Sequence, residues 1–214
     1  MQRISFKDSE GVEIVGALHV PELKTDAVVI IAHGYTSNKD RQRHIRHAEA
    51  LVGAGIAALR LDFGGCGESG DREITIKAQV GDLRSAIAYL KTELGYEKIG
   101  VLGESLGGIT ALEAFDDQMN ALVLWAPVTQ PSWTTEMTLE QQADLKTQGC
   151  FLHHKDGRQF KIPQEYCDER DCIDSEAVLG RIAIPVLIVH GAADECIPIE
   201  HSEKAIVLLP AGSS

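Results

Sequence analysis

Positive charge is in short supply in this chain: 20 lysines and arginines stand against 32 aspartates and glutamates, a formal net charge of −12. A surface with that balance repels phosphate backbones and anionic lipid, which argues against nucleic-acid and membrane-surface partners. Long apolar runs are also missing. Those present, such as Ala27–Ala32 and Ile184–Val189, are strand-length and fall far short of the ~20 residues a membrane-crossing helix needs. Met1–Lys7 alternates polar and apolar residues and lacks the continuous apolar centre of a signal peptide. The five cysteines are an odd number at irregular spacing and do not read as a disulfide framework. Reduced thiols, and with them a cytoplasmic protein, are the expectation. No internal repeat or low-complexity stretch interrupts the 214 residues, which are 44% hydrophobic and suffice for one soluble domain with a sizeable core.

Strands alternate with amphipathic helices along most of the chain. Arg3–Lys7 and Val12–Val20 flank the turn signal Asp8-Ser9-Glu10-Gly11 and predict a β-hairpin. Ala27–Ala32 is a continuous β-branched run of the kind buried on both faces of a parallel sheet. Helical spacing follows over Asp40–Val52, closed by Gly53 and Gly55, and then a strand over Ala57–Leu61. Ile76, Val80, Leu83, Ile87 and Leu90 share one helix face, with Thr75 as N-cap and Gly95 as stop. Ile99–Leu102, Ala121–Trp125 and Pro185–Val189 complete the apolar strands, and a helix runs from the corner at Ser105 through Phe115. This alternation specifies an α/β fold, a mostly parallel sheet covered by helices on both faces.

Residues 128–183 break the pattern. They hold Trp133, a polar helix-like run over Thr138–Lys146, and the hairpin signal Lys155-Asp156-Gly157-Arg158. A long insertion between sheet strands is read as a lid on a single domain spanning 1–214.

Gly103-Glu104-Ser105-Leu106-Gly107 matches G-x-S-x-G between a predicted strand and a predicted helix. Glycines two residues either side of Ser105 permit a tight turn that lifts Oγ above the sheet edge, and the Leu106 N–H then points toward a forming oxyanion. With His33-Gly34-Tyr35, the loop Asp62–Ser69 and His190–Pro198 in the same order, the chain resembles the α/β-hydrolase superfamily. Within it the likeness is to small feruloyl/cinnamoyl-esterase-type carboxylesterases, relatives of serine-aminopeptidase-like hydrolases. The resemblance implies a three-layer sandwich, an oxyanion hole of Tyr35 and Leu106, nucleophile Ser105 and triad acid Asp194. It makes His33 a support for its loop, and Asp62 is read as holding its own loop by hydrogen bonds.

The resemblance puts the triad histidine on a loop after one more strand, beyond the helix near Glu200–Leu208. No histidine follows there, so no base is assigned, and His201 is read as a solvated surface residue. Relative to that fold the chain stops about one strand, one loop and one helix early. Pro185–Val189 is then expected as an unprotected edge, covered by further chain or open to pairing with another copy. Cys150, His153, Cys167 and Cys172 could clamp zinc, but their spacing is irregular and the charged Cys167–Cys172 run reads as a solvated face, so neither metal nor cofactor is expected. Cys66 and Cys196 are read as unremarkable loop thiols.

The expected activity is hydrolysis of small acyl or hydroxycinnamoyl esters through an acyl-enzyme on Ser105, with a small-molecule ester as partner. A thioesterase, amidase or peptidase on the same scaffold is the alternative enzyme. A non-catalytic ligand-binding protein is the alternative from another class.

Overall fold

The first turn is drawn by one side chain. Asp8 Oδ1 accepts from the N–H groups of Glu10 (2.9 Å) and Val12 (2.7 Å), and Gly11 follows at φ 84°. The chain reverses there, so β1 (Gln2–Lys7) pairs antiparallel with β2 (Glu13–His19). This computed structural model describes residues 1–131 and 137–209.

Past the hairpin, β3 (Ala27–Ala32) leads through α1 (Gln42–Gly53) to β4 (Ala57–Asp62), which is buried along its whole length. From β4, α2 (Ile76–Thr92) leads to β5 (Lys98–Glu104), and α3 (Leu106–Ala114) leads on to β6 (Met119–Trp125). α2 starts where the Thr75 hydroxyl accepts from Ala78 N–H, and it buries Leu83, Ile87 and Leu90. Full burial of each such side chain is worth roughly 1.5–3 kcal/mol. α1 begins later than its periodicity suggests, at Gln42, because the Asp40 carboxylate is taken by Lys39 and Arg60.

Between β6 and the last strand lie α4 (Leu139–Gln148), the hairpin β7 (Cys150–Lys155) and β8 (Arg158–Pro163), α5 (Gln164–Asp171) and α6 (Ser175–Gly180). Thr138 and Gln141 form a capping box on α4. Asp156 (φ 51°) and Gly157 (φ 75°) make the tight hairpin turn that the Asp-Gly pair predicts. In the run Cys167–Cys172 the residues Asp168, Asp171 and Cys172 are exposed, in keeping with the expected solvated face, and Cys167 is buried. Tyr166 and Cys167 are buried on α5, because alternation of burial along a helix hides two apolar residues inside a charged segment. Trp133 lies outside the described residues. β9 (Val186–Val189) and α7 (Glu200–Leu208) follow.

The main sheet has seven strands in the order β1-β2-β4-β3-β5-β6-β9, parallel from β4 to β9. α2 and α3 pack on one face over the larger core, which includes Ile30, Val101, Leu106 and Leu124. On the other face α1 covers a smaller cluster of Ile31, Ala48, Ala58 and Leu102. β7 and β8 form a separate two-stranded sheet. Among the described residues the outer edge of β9 is unpaired, and Leu187 is exposed there.

Strand order reverses at β3. The path through α1 carries the chain to β4 on one side, and the path through α2 returns it past β3 to β5 on the other. In open α/β sheets such a reversal opens a ligand crevice beyond the carboxyl ends of the two diverging strands. Here those ends are Ala32–Tyr35 and Glu104–Leu106.

Candidate active site

The turn after β5 is strained in a specific way. Ser105 has φ 54° and ψ −117°, a backbone conformation disfavoured for a residue with a Cβ. The strain is held by hydrogen bonds on both sides: Ser105 N–H donates to Trp125 O (2.9 Å), and Ser105 O accepts from Gly108 (2.9 Å) and Val128 (3.1 Å). Two flanking glycines leave room for it. A Cβ on Gly103 would lie 2.4 Å from Gly107 O, and one on Gly107 would lie 2.5 Å from Ala32 O. The motif spacing therefore reflects two backbone collisions that only glycine avoids.

Gly34 brings the second loop against Ser105. A Cβ there would sit 3.1 Å from Ser105 Cβ and 3.6 Å from Ser105 Oγ. The next N–H along that loop is Tyr35's, and the N–H after Ser105 is Leu106's, at the start of α3. Among the described residues neither donates to a protein acceptor. Two free backbone donors on either side of a hydroxyl are able to bind a developing oxyanion.

His33 does not face this chemistry. The ring is fully buried, Nδ1 lies 2.8 Å from Gly34 O, and Nε2 accepts from Phe63 N–H (3.2 Å). Those partners fix a neutral ring with its proton on Nδ1, and burial pulls its pKa down to about 4. It braces the Gly34 loop against the glycine-rich loop after β4. Asp62 does the same from below. Its carboxylate accepts from Lys39 N–H (2.6 Å), Glu68 N–H (2.9 Å) and Lys39 Nζ (2.9 Å), all out of solvent contact on the Asp62 side. Burial works against the Lys39 cation, but Glu68, Asp62 and Asp40 together hold its pKa above the usual lysine value. Cys66, in the same loop, is buried, and burial pushes its thiol pKa up to about 12.

Glu104, beside Ser105, points to the opposite face. It meets His44 Nε2 at 2.6 Å and Arg43 at 2.5 Å. Burial opposes its charge, yet these two partners keep its pKa below the ordinary carboxylate range.

Asp194 sits on the loop after β9. Its Oδ1 accepts from Cys196 (2.8 Å) and Ile197 (2.9 Å), and the bond from Ile197 does most to lower its pKa. Oδ2 is 3.9 Å from His190 Nε2, too far for a hydrogen bond. Both nitrogens of His190 are taken, by Ser202 Oγ (2.6 Å) and Ile197 O (2.9 Å). One oxygen of Asp194 thus anchors the loop, and the other is left open among the described residues. Only β6 separates the strands that carry Ser105 and Asp194, a gap of about two strand spacings or ~10 Å.

None of the eight histidines hydrogen-bonds Ser105 Oγ among the described residues. His201 is a correction to the sequence reading. It is buried, not solvated: Thr129 N–H donates to its Nδ1 (3.1 Å), and Thr129 Oγ1 donates to its backbone oxygen (2.8 Å). α7 leans on the strand exit after β6, so a polar ring at its first turn is covered. No three His, Cys, Asp or Glu side chains are grouped to hold a metal among the described residues. Cys196 is exposed beside Asp194.

What the sequence did not reveal is the cover over Tyr35. The Tyr35 ring stacks on Tyr166 of α5 (5.2 Å between centroids, 20° between planes) and meets His153 of β7 at 5.2 Å. Lys155 Nζ donates to Tyr35 O at 2.9 Å. The partners lie 120 residues apart in sequence, and no local pattern announces them.

Residues 24–159 match the serine aminopeptidase family, S33. The chain belongs to that family. It is therefore an α/β hydrolase of the serine-hydrolase kind, in line with the resemblance drawn from its motifs. Over 129 residues it is 30% identical to a monoacylglycerol lipase of Mycolicibacterium smegmatis, a match covering 58% of this chain and 45% of that one. It is 25% identical to the mitochondrial palmitoyl-protein thioesterase ABHD10 of Rattus norvegicus over 185 residues, 81% of this chain and 61% of the relative. The chain thus spans about half to two thirds of the length of these relatives. In fold it is similar to Est1E of Butyrivibrio proteoclasticus, solved with ferulic acid bound, at a TM-score of 0.81 and 23% identity over 98% of this chain and 86% of that one.

Proposed function

We propose that this family member hydrolyses carboxylic esters through an acyl-enzyme on Ser105. The observation that carries the reading is the strained Ser105 turn packed against Gly34, with the free N–H groups of Tyr35 and Leu106 on either side. Ser105 Oγ attacks the ester carbonyl carbon while an imidazole takes its proton. The two N–H groups hold the oxyanion, and donors of this kind are worth roughly 2.7–4 kcal/mol each in the transition state. Collapse expels the alcohol, which takes the proton from the imidazole, and water then repeats the steps to free the acid. Asp194 Oδ2 is the open acceptor suited to orient that imidazole. The reading needs that ring between Ser105 and Asp194, above the carboxyl end of β6; among the described residues none of the eight histidines hydrogen-bonds Ser105 Oγ.

Small acyl and hydroxycinnamoyl esters are the proposed substrates, on the strength of the aromatic group Tyr35, Tyr166 and His153 beside the site. Residues 128–183 act as its cover in a single domain. Five free cysteines agree with a reducing, cytoplasmic setting. Likeness to a palmitoyl-protein thioesterase favours thioesters as the second substrate class.

Turnover of matched p-nitrophenyl esters, thioesters and anilides by the full-length protein and by Ser105→Ala tests the reading. Saturable ester hydrolysis lost in Ser105→Ala is expected. Faster turnover of thioesters supports the second class, and no Ser105-dependent turnover of any substrate leaves a binding protein.

A further inference from the structure

The β7–β8 hairpin is fastened to the Gly34 loop beside Ser105 and to the glycine-rich loop after β4. At its tip Lys155 Nζ donates to Tyr35 O (2.9 Å), Asp156 pairs with Arg41, and Arg158 Nη1 donates to Gly67 O (2.7 Å). Two of these contacts join charged groups to each other or to an exposed loop carbonyl, the ordinary business of a docked hairpin. Lys155 is different. Its ammonium is half-buried and among the described residues has one acceptor, a backbone carbonyl, with no carboxylate in salt-bridge reach. Burying a cation on a lone carbonyl is unfavourable unless the site gains from the charge.

The carbonyl it holds sits at a critical joint. Thr36, the residue after Tyr35, has φ 47°, a left-handed backbone on a β-branched residue, and its Oγ1 is buried without a partner. Strain of this kind persists only where neighbours over-determine it. His33 Nδ1 and Ser37 N–H hold Gly34 O from within the core. The contacts on Tyr35 itself, Lys155 on its carbonyl and the Tyr166 and His153 rings on its side chain, come from residues 153–166.

We infer that Lys155 is a positioning residue for the oxyanion loop: its ammonium fixes the Tyr35 carbonyl, and through it the orientation of the adjoining Tyr35 N–H. The inserted hairpin is then part of the catalytic frame as well as a cover. Its charge also adds positive potential beside the position where the oxyanion forms. The inference rests on the ester-hydrolase reading above.

The test is p-nitrophenyl butyrate hydrolysis by the full-length wild-type protein, Lys155→Met, Lys155→Gln, Lys155→Arg and Asp156→Asn, with melting temperatures measured in parallel. Lys155→Met and Lys155→Gln are expected to lower kcat about tenfold, less than full loss of an oxyanion donor, with KM within about twofold. Two uncharged variants guard against one failing to fold. Lys155→Arg keeps the cation and should recover most of kcat. Asp156→Asn loosens the same tip without touching the Tyr35 carbonyl and should stay near wild type. If both uncharged variants keep wild-type kcat, or if Asp156→Asn falls as far as they do, Lys155 has no such role, and Ser105-dependent turnover in the wild type still stands. Absence of any Ser105-dependent turnover in the wild type overturns the hydrolase reading and this inference together.

Discussion

Gly103→Ala puts the strained turn to a quantitative test. The added methyl would lie 2.4 Å from Gly107 O, 2.7 Å from Gly107 C and 2.9 Å from Gly108 Cα. All three are backbone atoms, so no flexible side chain end can swing away. Ordinary contact begins near 3.4 Å, so the turn has to open by about 1 Å. Overpacking of a close-packed site costs about 1–3 kcal/mol, and the absence of a yielding neighbour puts this case at the upper end. For a chain of this length each kcal/mol moves Tm by about 2–4 °C, so a fall of roughly 6–12 °C is expected. The same opening displaces Ser105 and the Leu106 N–H, and a misplacement of about 1 Å costs on the order of 100-fold in rate. Gly81→Ala is the matched control. It lies inside α2 with nothing within 4 Å of the new methyl, and the gain in helix propensity should raise stability by about 0.5–1 kcal/mol. Scanning fluorimetry and ester turnover read both variants. Gly103→Ala with wild-type Tm and kcat would refute the collision argument.

Three further outcomes follow from the charges. Asp62→Ala leaves the Lys39 ammonium with Glu68 and Asp40 but takes the acceptor from the Lys39 and Glu68 N–H groups, and is expected to cost about 1–3 kcal/mol by urea denaturation, more than an exposed pair would. Asp82 is buried, which pushes its carboxyl pKa up to about 7 although Gly64 N–H and Arg72 favour the charge. Its folded pKa lies above its unfolded value of 3.8, so the folded state binds the extra proton between those values. The Asp82 contribution is present below pH 4 and is lost as pH rises toward about 7; Asp82→Asn should remove that downward slope in unfolding free energy between pH 4 and 7. Glu169 on α5 accepts from the first amides of α2, Ile76 N–H (2.6 Å) and Lys77 N–H (3.3 Å), and so ties the insertion to the core. Loss of that cap in Glu169→Ala should cost about 0.5–2 kcal/mol and speed limited proteolysis within residues 137–183, with the main sheet protected.

The sheet was readable because its strands are continuous apolar runs and its helices carry one apolar face, patterns set by burial alone. Ser105 was readable because two backbone collisions dictate the flanking glycines. The Asp-Gly hairpin followed from two left-handed positions. His201 was misread because burial at the first turn of α7 depends on the exit of β6, 72 residues away. α5 was missed because its two buried residues are embedded among charges, and the Lys155–Tyr35 bond joins segments that no local periodicity connects. Asp194 stands between these cases: its loop motif is legible, whereas the division of labour between its two oxygens emerges only from the geometry.

The most direct test of the account is covalent. The full-length protein, treated with a fluorophosphonate probe and digested, should carry the adduct on the peptide containing Ser105, and Ser105→Ala should carry none. An unlabelled wild type, or an adduct on another residue, would contradict the assignment of Ser105 as the nucleophile.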